Sequence, residues 1–150
     1  MHRHSLPMTV GLLGYGGLIP FVGLALLSIG EPAHGILYRG ALLLYGAVIL
    51  SFIGAIHWGI AMFADRLDEP TRRSCYIWSV VPSLMAWSTY VLSPIGAAMI
   101  LILGFVLQYW RDLSLRQHIS LPNWYLPLRI RLTLVACGCL SVGVLLPVLR

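Results

Sequence analysis

His57 is the residue whose type and position in this sequence best suit chemistry, because it lies inside a long apolar segment, residues 36–63. It follows Leu50, near the middle of that segment, by about 10 Å along a helix. That depth is still within the hydrocarbon half-thickness of a membrane, about 15 Å. An ionisable side chain there typically marks a binding site or a proton pathway. A neutral imidazole that hydrogen-bonds a neighbouring helix explains it equally well, so both roles stay open.

Other apolar segments place polar or aromatic side chains at a depth comparable to that of His57. The candidate ligand-binding residues are His57, Trp58, Trp78, Ser79, Ser83, Trp87, Gln108 and Tyr15. We predict a polar cavity that opens to the cytoplasm, in which hydroxyl and amide groups set the polarity and indole rings form apolar walls. The alternative is a scatter of weakly polar residues in a packed core, since membrane helices tolerate them.

A planar ligand such as haem would suit this cavity, because histidine is a common axial ligand of haem iron. No second histidine lies at that depth to ligate the iron from its other side. The cysteines, Cys75, Cys137 and Cys139, have no metal-ligand spacing and are expected to be small buried apolar residues. We therefore predict no metal site.

The acidic residues all fall near the ends of the apolar segments or between them: Glu31, Asp65, Asp68, Glu69 and Asp112. We therefore expect no carboxylate inside the membrane, which disfavours a carboxylate-based proton or cation pathway. The sequence also has no HExxH motif and no glycine-rich phosphate loop. These observations favour a protein that is not an enzyme.

One face of the segment 36–63 is expected to pack closely against a neighbouring helix. Its small residues recur every four positions, as Ala47, Ser51, Ala55 and Gly59, and small side chains let membrane helices approach each other. His57 projects about 200° away from Ala55. The sequence therefore predicts a packing face and, opposite it, a histidine face.

The composition requires that these segments cross a membrane. Of the 150 residues, 59% are hydrophobic and only 10% are charged, whereas a soluble domain is roughly a quarter charged. Because backbone groups in lipid must be satisfied internally, each long apolar segment is expected to be a helix. The prediction is a single all-α domain, residues 1–150, forming a five-helix bundle with spans at about 8–29, 36–63, 74–92, 94–110 and 126–149.

The basic residues, which are all arginines, sort unevenly between the two sides of such a bundle. One side holds Arg3, Arg66, Arg72, Arg73, Arg111, Arg116, Arg129 and Arg131, and the other holds Arg39 and Arg150. By the positive-inside rule, the N-terminus is expected in the cytoplasm and the C-terminus outside. This bias, rather than nucleic-acid binding, accounts for the net charge of +5. We expect the first span to be retained rather than cleaved as a signal peptide.

Several segments of the chain carry a resemblance to a known family. They are Leu-Ile-Pro-Phe at 18–21, the stretch 45–52, Ser-Phe-Ile-Gly-Ala-Ile-His-Trp-Gly at 51–59, 82–87, 104–108 and 121–126 with Arg129 and Arg131. Together they resemble the uncharacterised membrane family similar to transmembrane protein 69, found in bacteria and mitochondria, and 51–59 is the most specific part. The resemblance implies a polytopic protein of the bacterial or mitochondrial inner membrane, and it implies no reaction.

Two functional hypotheses follow. The first is a non-enzymatic protein that binds or transports a small apolar or planar ligand in a pocket around His57. The second is an accessory or assembly subunit of an inner-membrane complex, such as a respiratory complex. In this role the small residues and His57 serve packing against a membrane-protein partner or another copy of the chain. Both require the lipid bilayer as the surrounding medium.

Overall fold

In the computed structural model, residues 6–65 and 67–149 are described, and all regular secondary structure in them is helical. The α-helices are α1 (Met8–Gly16), α2 (Leu18–Gly30), α3 (Gly35–Phe63), α4 (Glu69–Ser88), α5 (Pro94–Leu115), α6 (Tyr125–Leu140) and α7 (Leu146–Leu149). Short 3-10 helices at Pro32–His34 and Thr89–Val91 lead into and out of the longer ones. A π-helical turn, Ser141–Leu145, joins α6 to α7.

Two of the long helices begin where the sequence supplies a capping residue. The Ser93 hydroxyl accepts a hydrogen bond from the backbone N–H of Gly96 over 3.3 Å, and Pro94 opens α5, as expected for a serine N-cap followed by proline. The Asp68 carboxylate accepts from the N–H of Thr71 in the same way at the start of α4. At its other end α5 continues to Leu115, beyond the predicted span that ends at residue 110.

Helices α3 and α5 lie side by side and run in the same direction. Gly46 packs against Leu101, and one turn further along both helices Leu50 packs against Gly104. Because contacting positions advance together along the two chains, the helices are parallel. A return segment between them is therefore required, and α4 supplies it.

Helix α4 is antiparallel to both of these neighbours. Gly54 of α3 packs against Pro82, while Arg72, at the start of α4, donates hydrogen bonds to the carbonyls at the end of α3, including that of Ala64 over 3.0 Å. On the other side, the Arg111 side chain of α5 donates to the Ser74 hydroxyl over 2.9 Å. Helix α4 thus runs the length of the bundle, back from the end of α3 to the start of α5.

The first and last helices close the bundle beside α3. The Tyr45 hydroxyl donates to the carbonyl of Gly17 over 2.8 Å, and Ser28 of α2 donates to the carbonyl of Gly143 over 2.8 Å. One end of the bundle, called here the arginine end, carries Arg72, Arg73, Arg111, Arg116, Arg129 and Arg131. Arg39 lies toward the opposite end, and the predicted positions of Arg3, Arg66 and Arg150 fall outside the described residues.

Four stretches of helix are long and apolar enough to cross a membrane, counted over the described part of the chain: Met8–Gly30, Pro32–Phe63, Pro94–Leu115 and Tyr125–Leu145. The predicted third span corresponds to α4, which is not among them. The outer surface is rich in exposed large apolar side chains such as Ile36, Phe63 and Leu134, as lipid contact requires. The protein is an all-helical membrane protein.

The closest packing of α3 is made by its histidine face. Gly46, Leu50, Gly54 and His57 are buried there, and a Cβ atom on Gly54 would lie only 2.8 Å from the Pro82 ring. The predicted packing residues, Ala47, Ser51, Ala55 and Gly59, lie on the outward side and are partly or well exposed. In the core, glycines of α3 and α5 leave space on the helix surface, and a leucine of the facing helix fills each space.

Candidate functional site

A group of polar side chains is buried between four helices toward the arginine end. This polar cluster consists of His57 from α3, Trp78 from α4, Gln108 and Asp112 from α5, and Arg129 from α6. The side chains of His57, Gln108 and Asp112 are fully buried, and Arg129 is 7% exposed. Since polar groups removed from water are costly unless they are paired, the hydrogen bonds of the cluster determine whether these helices pack stably.

Gln108 is the centre of the cluster. Its Oε1 accepts a hydrogen bond from Trp78 Nε1 over 2.9 Å, and because an indole nitrogen only donates, this contact establishes which end of the amide faces which partner. The amide nitrogen then lies 3.1 Å from Nδ1 of His57 and 3.4 Å from both the Ile53 carbonyl and Asp112 Oδ1. Gln108 thereby connects three helices.

The contact with Gln108 also determines the tautomer of neutral His57. Its Nδ1 accepts a hydrogen bond from the amide, so the imidazole hydrogen is on Nε2. That Nε2 lies 3.7 Å from Asp112 Oδ1, beyond hydrogen-bond length, and has no other partner in the structure. His57 therefore presents an unused N–H donor toward a carboxylate.

Asp112 and Arg129 form an ion pair between α5 and α6. Arg129 Nε donates to Asp112 Oδ2 over 2.8 Å. The sequence places Asp112 near the end of an apolar segment, but because α5 extends to Leu115 its carboxylate is buried inside the bundle. The spacing of Gln108 and Asp112 was the available signal, since residues four apart share one face of a helix.

The remaining candidate residues lie apart from the polar cluster. Ser79 is buried, but its hydroxyl donates to the carbonyl of Tyr76 in its own helix over 2.7 Å. Ser83 is half-buried. The other candidates, Tyr15, Trp58 and Trp87, are 41%, 49% and 74% exposed on the outside of the bundle. Of the eight predicted ligand-binding residues, the structure brings together His57, Trp78 and Gln108.

An apolar cavity of about 130 Å³ lies beside the cluster, enclosed by residues of α1, α2, α3, α5 and α6. This lateral cavity is lined by Leu13, Gly14, Gly17, Leu18, Phe21, Ile49, Phe52, Ile53, Phe105, Arg129, Leu132, Thr133 and Ala136. His57 is not among these residues, although Ile53, one helical turn before it, is. The cavity matches in size an engineered apolar cavity of about 150 Å³ that stays dry and binds benzene.

A buried polar atom beside the lateral cavity, Nη2 of Arg129, has no hydrogen-bond partner in the structure. Arg129 itself lines the cavity. Leaving a buried donor unpaired costs about 1–3 kcal/mol, so the site has a favourable place for an acceptor. No group of three or more histidine, cysteine or acidic side chains able to hold a metal ion occurs in the part of the chain that the structure describes.

Residues 6–145 match a family described as "Protein of unknown function (DUF3429)", and the chain belongs to it. It is 35% identical to Transmembrane protein 69 of Xenopus tropicalis over 126 residues, which are 83% of this chain and 49% of that protein. It is 32% identical to the Mus musculus protein of the same name over 122 residues, 80% of this chain and 49% of that one. The chain thus spans about half the length of these relatives. No solved structure matches it.

Proposed function

We propose that this member of the family is a non-enzymatic membrane protein that binds a small, partly apolar ligand in the lateral cavity. The observation that carries the proposal is an apolar cavity with a buried guanidinium at its edge, whose Nη2 has no partner. Ligand sites are typically apolar spaces with a few placed polar groups. A binding role is favoured over catalysis because the buried carboxylate of Asp112 is already paired with Arg129.

The proposed ligand space lies next to His57 rather than around it. His57 accepts from Gln108, and Gln108 contacts Asp112, which in turn holds Arg129 at the cavity. We therefore assign His57 and Gln108 a supporting role, in which they orient the ion pair. A ligand would contact Arg129, Thr133 and Ile53 directly.

The ligand is proposed to enter sideways from the bilayer. Leu13 of α1 and Phe52 of α3 line the lateral cavity and are also 72% and 68% exposed. The cavity therefore reaches the outer surface of the bundle between these two helices, where lipid surrounds the protein. Such an opening favours a ligand that partitions into the membrane.

We also propose that the chain crosses the membrane five times, with the arginine end in the cytoplasm. Helices α3 and α5 are each apolar enough to span and are parallel, so α4 between them must return across the same thickness. Six arginines lie at the arginine end, against Arg39 toward the other, which favours a cytoplasmic location by the positive-inside rule. The membrane is proposed to be the bacterial cytoplasmic or the mitochondrial inner membrane.

The test of the binding function is purification in native-lipid nanodiscs, followed by mass spectrometry of the extracted small molecules. Ala136 is 2% exposed and lines the lateral cavity, so Ala136→Leu should fill it and abolish a bound species seen with the unchanged protein. Ala55→Leu, at an exposed position of α3, is the matched control and should retain that species. Equal occupancy in both variants would contradict the proposal, as would the absence of any enriched molecule.

A groove formed by α3, α4 and the start of α5 favours a second candidate function. It has a volume of about 810 Å³ and is lined by small residues of α3, Ala47 and Ser51, and by Ser83 and Trp87 of α4. Small residues allow another membrane helix to approach, as a subunit of a complex requires. A stoichiometric protein partner that is released by Ala47→Leu but retained with Ala136→Leu would favour this function over ligand binding.

A further inference from the structure

We propose that the ligand of the lateral cavity is an amphiphile with one apolar chain in the cavity and an anionic headgroup bound by Arg129. This inference rests on the proposed function and adds the chemical class of the ligand. Two independent features of the site support it. They are the balance of hydrogen-bond donors and acceptors around Arg129 and the position of the cavity along α6.

The unpaired buried groups around the ion pair are donors. Arg129 Nη2 can only donate a hydrogen bond. In the tautomer imposed by Gln108, Nε2 of neutral His57 is likewise a donor only. The one carboxylate nearby, Asp112, accepts from Arg129 Nε and from Gln108, and neither unpaired donor forms a hydrogen bond with it. What the site lacks is an acceptor.

An anionic oxygen is the acceptor that suits Arg129 best. Its Nε is engaged by Asp112 at 2.8 Å, while Nη2 has no partner and the side chain is only 7% exposed. Hydrogen bonds from a guanidinium to a carboxylate or phosphate oxygen are shorter and about twice as strong as neutral ones. A neutral hydroxyl would also accept from Nη2, but without the charge.

The cavity has the position and width for one chain. It extends along α6 from Arg129 to Ala136, a distance of about 10 Å, and its volume of about 130 Å³ excludes a bulky group. Gly14 and Gly17 border it on the side of α1, so the backbone itself forms part of the wall.

The direction of the cavity matches that of a lipid in a membrane. Arg129 lies near the start of α6, at the arginine end, while Ala136 lies about two turns deeper in the bundle. A bound amphiphile would thus keep its head near the membrane surface and its chain toward the centre. A free fatty acid and an anionic phospholipid share this chemistry, and the experiment below distinguishes them.

The test uses the full chain in nanodiscs of neutral phosphatidylcholine, with a photo-crosslinkable diazirine fatty acid as the probe. Competitors are added at equal mole fraction: the unlabelled acid, the alcohol of the same chain length, and phosphatidylglycerol. We expect the acid to compete at least about tenfold better than the alcohol, the size of one charge-assisted hydrogen bond. Competition by phosphatidylglycerol equal to that of the acid supports a lipid headgroup as the source, and weaker competition supports a free acid. Equal competition by acid and alcohol overturns the inference.

Variants separate this inference from the proposed function. Arg129→Gln combined with Asp112→Asn removes both charges together, so that no buried charge is left unpaired, and it should abolish the preference for acid over alcohol. Arg131→Gln, an exposed position on the same helix, should retain the preference. A double variant that still prefers the acid tenfold overturns the anionic headgroup. If crosslinking instead survives Ala136→Leu undiminished, the lateral cavity is not the site and the proposed function itself fails.

Discussion

Asp112 at the end of α5 and Arg129 at the start of α6 form an ion pair inside the bundle, with Nε and Oδ2 2.8 Å apart. The pair holds the end of α5 against the start of α6 inside the bundle. Asp112 also contacts Gln108, and Arg129 lines the lateral cavity, so the pair links the hydrogen bonds of His57 and Gln108 to that cavity. Because both charges are buried away from water, each one is stabilised mainly by the other.

The first prediction concerns this dependence. Asp112→Asn alone or Arg129→Gln alone leaves one buried charge unpaired and should lower the free energy of unfolding by about 3–5 kcal/mol. The double variant should be clearly more stable than either single variant, since neither charge remains. Thermal unfolding in detergent, followed by circular dichroism, measures all three. A double variant no more stable than the singles would contradict a direct pairing.

The second prediction concerns Gln108. Gln108→Leu leaves Trp78 Nε1 and His57 Nδ1 without their present partner, which should cost about 1–3 kcal/mol for each buried group that stays unpaired. The control is Gln117→Leu, at an exposed position, which should change stability by less than about 0.5 kcal/mol. The same unfolding measurement decides, and equal effects at the two positions would show that Gln108 does not connect the helices.

The third prediction concerns the crossing of α3 and α4 at Gly54. A Cβ atom there would lie 2.8 Å from the Pro82 ring, which cannot rotate away. Gly54→Ala should therefore destabilise the bundle by about 1–3 kcal/mol through overpacking. Gly59→Ala, where a Cβ would meet nothing within 4 Å, should be neutral or stabilising, because alanine favours a helix by up to about 1 kcal/mol over glycine. A reversed order of the two variants would contradict the contact.

The fourth prediction tests the number of crossings. With Cys75, Cys137 and Cys139 replaced by alanine, single cysteines at Asp65 and Ser120 should be labelled from one side of the membrane. Single cysteines at Ala33 and Tyr90 should be labelled from the other. A membrane-impermeant maleimide applied to intact cells and to inverted vesicles measures this. Labelling of Asp65 and Tyr90 from the same side would show that α4 does not cross.

The fifth prediction is a pH dependence at the start of α4. Hydrogen bonds from Thr71, first from its side chain and then from its backbone N–H, lower the pKa of Asp68 from its ordinary value of 3.8. A carboxyl with a lowered pKa in the folded state stabilises the protein above the unfolded-state value, and that contribution disappears as the pH falls through the folded-state pKa. Asp68→Ala should therefore reduce thermal stability at neutral pH and have little effect at strongly acidic pH. Asp65→Ala, at an exposed position before α4, is the control, and a loss independent of pH would contradict the charge effect.

Much of the helical architecture could be predicted from local patterns. Apolar segments of spanning length must be helical in lipid, and Ser93-Pro94 marks the start of α5 because a serine oxygen and a proline suit the first turn. The composition alone excluded a soluble fold. In the site, the depth of His57 and Gln108 followed from counting residues along a helix.

The pairings were decided only by the tertiary structure. Asp112 and Arg129 each lie near a helix end, where a charged residue is ordinarily solvated, and nothing local indicates that α5 and α6 bring them together. The packing face of α3 likewise depends on its neighbours, because Gly46 and Gly54 are buried only where Leu101 and Pro82 fill the space beside them. Sequence by itself determined that the apolar segments are helical and roughly how deep His57 and Gln108 lie along them, since both follow from distance along one chain. Partners and cavities depend on distances between helices, which only the packed bundle determines.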